Sequence, residues 1–124
     1  RRKNRIFNQD ASKLLSALKE HEEKPSVIYA DPPYTSDQYS RYYHLLETLL
    51  LYDYPDISGK GQYRPDRFAS PFCSKRQVES AFEDLATTAA ALGSTLIVSY
   101  PTNGLLEETG VSLIDILKKS YPTI

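Results

Sequence analysis

The chain has no methionine, no tryptophan, one cysteine and two histidines in 124 residues. Without methionine it cannot begin at a natural translation start, so a piece of something longer is expected. The lone Cys73 excludes an internal disulfide framework and reads as a small, half-buried residue. With only His21 and His44 beside it, no spacing resembles a zinc site. Long apolar runs are also missing. Nothing approaches the roughly 20 residues needed to cross a bilayer, and the basic start Arg1-Arg2-Lys3-Asn4-Arg5 lacks the apolar segment of a signal peptide. A cytoplasmic protein that avoids membranes is expected. Charge of one sign is not in excess either, since 15 Lys and Arg face 16 Asp and Glu. Any hold on nucleic acid must come from a local patch or from residues elsewhere in the polypeptide.

What is present is the balance of a globular core, 40% hydrophobic and 25% charged. Strands and helices alternate along it. Arg5-Ile6-Phe7 reads as the end of a strand, and Asp10 or Ser12 as the cap of a helix carrying Leu14, Leu15 and Leu18. Val27-Ile28-Tyr29-Ala30 and Thr95-Leu96-Ile97-Val98 are short, apolar and β-rich, which predicts strands buried on both faces of a parallel sheet. From Gln38 to about Tyr52 polar residues recur three or four apart, predicting one amphipathic helix whose aromatic and leucine face packs into the core. A long loop follows over residues 53–73, with Pro55, Gly59, Gly61 and Pro65, and its length suggests function or mobility. Ser74 reads as the N-cap of a helix through Val78, Phe82, Leu85 and Ala89, closed by Gly93. A last helix carries Leu113, Ile114, Ile116 and Leu117. The alternation predicts an α/β fold, part of a doubly wound Rossmann-like sheet with helices on both faces. In such a sheet ligands bind beyond the carboxyl ends of the strands.

Two breaker-rich turns fall at that edge: Asp31-Pro32-Pro33-Tyr34 after one strand and Ser99-Tyr100-Pro101-Thr102-Asn103-Gly104 after the other. If the strands are neighbours, the two turns line one crevice. Two successive prolines hold an extended backbone whose carbonyls find few local donors. A carboxylate beside free carbonyls suits a group with two N–H donors, such as an amine on a flat ring. Tyr34 offers a face for stacking, a contact worth roughly 1–3 kcal/mol per base in nucleic-acid complexes. An exocyclic amine of a nucleobase is the natural ligand.

Asp-Pro-Pro-Tyr after a buried strand resembles the catalytic motif of S-adenosylmethionine-dependent DNA adenine-N6 methyltransferases. Phe7-Asn8-Gln9-Asp10-Ala11 is similar to the segment in which those enzymes carry an Asp that contacts the cofactor's adenine. Ser99 to Leu105 resembles the strand-end motif that walls the target-base pocket. The run Tyr39 to Leu51, Gly61-Gln62-Tyr63-Arg64 and Ser70-Pro71-Phe72 are similar to one bacterial subgroup of adenine-specific methylases. The resemblance implies Asp31, Pro32, Pro33 and Tyr34 as catalytic residues, Asp10, Ala11 and Asp31 as contacts for S-adenosylmethionine, and Tyr34, Ser99, Tyr100, Asn103 and Arg64 as substrate contacts. It implies double-stranded DNA with a flipped adenine as the partner, a restriction nuclease beside the enzyme, and no metal. It also implies that residues 1–124 are one partial catalytic domain. The family's glycine-rich cofactor loop has no counterpart here, so this piece alone is expected to bind cofactor weakly or not at all and to be inactive.

Other readings stay open. Ribosomal RNA guanine-N2 methyltransferases also carry Asp-Pro-Pro-aromatic motifs, whereas cytosine-N4 enzymes usually have Ser in place of the Asp, so Asp31 argues against cytosine. An inactive methylase fragment that only binds nucleic acid or a partner is a third reading. Arg41 and His44, one turn apart, suit either a phosphate or a solvated face. Arg64, Arg67, Lys75 and Arg76 suit either a phosphate-contacting patch or plain solubility.

Overall fold

The computed structural model describes residues 4–22 and 24–123, so the basic start at Arg1, Arg2 and Lys3 lies outside the described residues. Helix α1 spans Ala11–Leu18, strand β1 Val27–Ala30, α2 Tyr39–Tyr42, α3 His44–Leu51, α4 Val78–Ala91, β2 Thr95–Val98 and α5 Leu113–Ser120. β1 and β2 pair in parallel, Val27 opposite Thr95 through Ala30 opposite Val98, as a two-stranded sheet. The architecture is mixed α/β, a small parallel sheet with helices.

α4 organises the core. Val78, Ala81, Phe82, Leu85, Ala86 and Ala89 recur at helical spacing and are buried. They meet Leu15 of α1 and Ile116 of α5, with Leu92 and Leu106. Phe82 is fully buried, and the rings of Phe72 and Tyr100 meet it edge-on at 5.1 and 4.9 Å. At the helix end the Gly93 N–H donates to the Ala90 carbonyl at 2.9 Å and the Ser94 N–H to the Ala89 carbonyl at 3.2 Å. This closure needs a left-handed residue, and Gly93, at φ 72°, supplies it without a Cβ penalty. The expected stop at Gly93 is therefore found. Of the two expected candidates, Asp10 and Ser12, it is Asp10 that caps α1, its Oδ1 accepting the Lys13 N–H at 3.0 Å.

Several expectations are corrected. Arg5 to Phe7 form no strand, because no strand among the described residues pairs with them. The two strands are not buried on both faces. Ile28, Ala30, Leu96 and Val98 pack toward the core, while Val27, Tyr29 and Ile97 on the other face are exposed. The helix expected from Gln38 to Tyr52 is two helices, broken at Tyr43 (φ −98°, ψ 3°). Its apolar face does not enter the core: Leu45, Leu46, Leu49, Leu50 and Leu51 are all exposed. α4 begins with Gln77 as its N-cap instead of Ser74, whose carbonyl accepts the Gln77 and Val78 N–H groups. Cys73 is buried outright, its thiol donating to the Asp37 carbonyl at 3.2 Å. No helix among the described residues is long and apolar enough to cross a membrane.

Candidate functional site

Parallel pairing in register delivers Asp31 and Ser99 side by side, one residue beyond Ala30 and Val98. The Ser99 N–H donates to the Ala30 carbonyl at 2.9 Å, extending the ladder by one step. The Leu105 N–H then donates to the Tyr34 carbonyl at 2.8 Å, binding the two turns to each other. The two turns expected at this sheet edge are thus neighbours. Pro32 is buried and Pro33 half-buried, while Asp31 is exposed and Tyr34 is 49% exposed. The prolines anchor the turn and the acid and ring face solvent. Among the described residues, the carbonyls of Asp31, Pro32 and Pro33 accept no hydrogen bond. With the Asp31 carboxylate they form an acceptor-rich edge, suited to an N–H donor.

The second turn is built around Tyr100. Its ring packs on Phe82 and its hydroxyl accepts the Leu106 N–H at 3.0 Å. Burial pushes that hydroxyl above the usual phenol range, and the Leu106 hydrogen bond opposes the shift. Gly104 is buried against the same ring, and a Cβ there would overlap it. Tyr100 therefore shapes the turn from within, leaving Ser99 and Asn103 exposed on it.

Arg64 departs from the expectation of a substrate contact. Its side chain is buried, and its two terminal nitrogens donate to the Asp53 carboxylate at 2.7 Å each, with Asp66 3.3 Å from Nε. This bidentate pair holds the Asp53 carboxyl below the usual range, chiefly through the hydrogen bonds from Arg64. The guanidinium is consumed in closing the long loop. Of the wider basic patch, Lys75 is taken by Glu108 at 2.7 Å, whereas Arg67 spends only its Nε, on the Arg64 carbonyl. Asp10 spends one carboxylate oxygen on its helix and is exposed with Ala11 at the start of α1.

Tyr39 is a residue that pattern reading left unassigned. It opens α2, and its hydroxyl is pushed upward by desolvation and then by the nearby Tyr34 and Asp31. It also lines an apolar groove of about 420 Å³ with Tyr43, Leu46, Leu50 and Phe68. The signal in the sequence was its place five residues after Tyr34, hidden inside what reads as one uniform helix. No cluster of metal-ligating side chains occurs among the described residues.

The family model for D12 class N6 adenine-specific DNA methyltransferases matches residues 2–118. The chain is 39% identical over 112 residues to the type II methyltransferase M.FokI of Planomicrobium okeanokoites, across 90% of this chain and 16% of that protein. It is 38% identical over 82 residues to the modification methylase LlaI of Lactococcus lactis, across 66% of this chain and 12% of that protein. To the type II methyltransferase M.NlaIII of Neisseria lactamica it is 32% identical over 102 residues, across 82% of this chain and 28% of that protein. The chain thus spans between about an eighth and a quarter of the length of these relatives. No solved structure matches it. With the family model spanning nearly its whole length, this chain belongs to the D12 class of N6 adenine-specific DNA methyltransferases.

Proposed function

We propose that the complete polypeptide transfers a methyl group from S-adenosylmethionine to N6 of a flipped-out adenine in double-stranded DNA. The observation that carries the reading is the acceptor edge of Asp31, Pro32 and Pro33, exposed beside Tyr34 and joined to the Ser99–Gly104 turn. Adenine N6 is a poor nucleophile because its lone pair is conjugated into the ring. Hydrogen bonds from N6 to the Asp31 carboxylate and the Pro32 carbonyl favour a more tetrahedral nitrogen, whose lone pair is free to attack in line. Asp31 need not be a strong base, since the N6 proton becomes far more acidic once the nitrogen is methylated. Tyr34 holds the extruded ring by stacking, because a paired and stacked base is out of reach. Ser99 and Asn103 complete the wall.

S-adenosylmethionine, when bound, supplies an electrophilic methyl on a sulfonium cation. The residues present fit part of that cofactor. The exposed Asp31 carboxylate complements its positive charge, and the second oxygen of Asp10, beside Ala11, is free to accept from an adenine amine. Glycine occurs nowhere before Gly59, so the loop that would cradle the rest of the cofactor is not supplied by the residues preceding Asp31. The chain is read as part of one catalytic domain within a doubly wound sheet, acting in the cytoplasm. The names of the relatives, modification methylases among them, support a restriction-modification setting with a cognate nuclease.

The test is transfer of labelled methyl to unmethylated DNA by the complete polypeptide, with nucleoside analysis of the product. Label in N6-methyladenine, reduced on the order of 10²- to 10³-fold by Asp31→Ala, is expected. Transfer to ribosomal RNA alone would move the substrate to guanine-N2, and transfer to neither would leave a binding role.

A further inference from the structure

The long loop contains a structure that the methyl-transfer chemistry does not use. Ser58 and Tyr63 exchange backbone hydrogen bonds of 2.8 and 2.9 Å, making a tight hairpin. Gly61, where a Cβ would overlap the Tyr63 ring, lets that ring fold across the hairpin. Arg67 places its guanidinium 4.5 Å from the centre of the Tyr63 ring, and Arg41 places its own at 5.3 Å while its Nε donates to the Tyr63 hydroxyl at 2.9 Å. His44 meets the same ring edge-on at 4.9 Å. Two like charges therefore share one aromatic ring, with little carboxylate beside them. Arg67 makes no ion pair among the described residues, and Arg41 has only a loose 3.8 Å contact with the half-buried Asp37. Asp53 and Asp66 are taken by Arg64.

The cluster is also held in place. The Gln38 side chain exchanges two hydrogen bonds with the Ser70 backbone, and the Ser40 hydroxyl donates to the Phe68 carbonyl at 2.7 Å. These bonds tie the loop to α2, so both arginines are prearranged before any ligand arrives. Arg41 follows Tyr34 by seven residues, a chain distance of at most roughly 25 Å. At 3.4 Å per nucleotide along a strand, that is within about seven nucleotides of a base stacked on Tyr34. A chain with net charge −1 needs a local cation site to hold a polyanion.

We propose that Arg41 and Arg67, presented on Tyr63, seat a backbone phosphate of the DNA flanking the target adenine. The proposal rests on the DNA-methyltransferase reading and deepens it. Planar guanidinium forks fixed on a ring have lost little further freedom to bind phosphate, and such contacts set register without reading sequence.

The test is duplex affinity of the complete polypeptide, measured by fluorescence anisotropy on random-sequence DNA across about 50 to 200 mM salt. Arg67→Gln is expected to weaken binding and reduce the slope of log K against log salt by about 0.9, while Arg67→Lys keeps the slope. An unchanged slope in Arg67→Gln, or an equal loss of affinity in both variants with no change of slope, would overturn the phosphate contact and leave a packing role. Because binding is read without turnover, the two readings fail separately. A slope that depends on Arg67 in a protein that transfers no methyl would sink methylation and keep the contact. Methyl transfer with an unaltered slope would do the reverse.

Discussion

Phe82, Gly104 and Asp10 show how single side chains set the geometry of the sheet edge. Phe82 joins the Phe72 and Tyr100 rings at full burial. Phe82→Ala is expected to cost about 3–5 kcal/mol, read as a lower denaturant midpoint at unchanged slope. A loss below about 1 kcal/mol would mean the cavity collapses without strain. Gly104 leads to the edge itself, because a side chain there must displace the Tyr100 ring. Gly104→Ala should therefore lower the melting temperature and methyl transfer together, and a variant with unchanged transfer would show that the turn tolerates the shift. Asp10 combines a cap with a free oxygen. Asp10→Asn keeps capping power and removes the charge, so cofactor affinity should fall while stability holds, whereas Asp10→Ala adds a stability loss of about 1 kcal/mol.

Among the elements, the long loop and the α2–α3 pair behave differently from their sequence pattern. The loop is folded by one buried cation: Arg64 gathers Asp53 and Asp66, and the hairpin at Ser58 and Tyr63 sits between them in the chain. The Asp53 carboxyl has its folded-state pKa depressed, so its contribution is present above the unfolded value of about 4 and is lost as pH falls through the folded one. The loop should loosen in acid before the core does. Hydrogen exchange at the Ser58 and Tyr63 amides would show it, with protection falling below about pH 4; protection unchanged there would mean the hairpin holds without the ion pair. α3 carries a run of leucines that reads as core and is exposed. Periodicity identified an apolar face correctly, but an apolar stripe does not say which surface it meets.

At the scale of the whole molecule, exposed apolar area is the dominant fact. Val27, Tyr29 and Ile97 on one sheet face and the α3 leucines lie open, and contiguous exposed apolar surface marks a site of association. The 124-residue chain alone should self-associate at micromolar concentration in sedimentation and bind S-adenosylmethionine far more weakly than the complete polypeptide does in calorimetry. A stable monomer with full cofactor affinity would contradict both expectations.

The four-residue strands, the caps at Asp10 and Gly93 and the two turns beyond the strands were legible from residue types alone. They depend on local effects: β-branched runs, a side-chain oxygen near free N–H groups, a glycine at positive φ, prolines that stop a strand. That Asp31 and Ser99 emerge together was conditional on strand adjacency, which the parallel register of Val27 to Ala30 with Thr95 to Val98 supplied. Arg64 and Tyr63 could not be read in this way. Their roles follow from partners up to 22 positions away, Asp53 for one and Arg41 with His44 for the other. A guanidinium in a polar loop looks the same in sequence whether it meets solvent, phosphate or a carboxylate; tertiary packing decides, because it alone sets which charges are desolvated and which opposite charge lies within hydrogen-bonding reach.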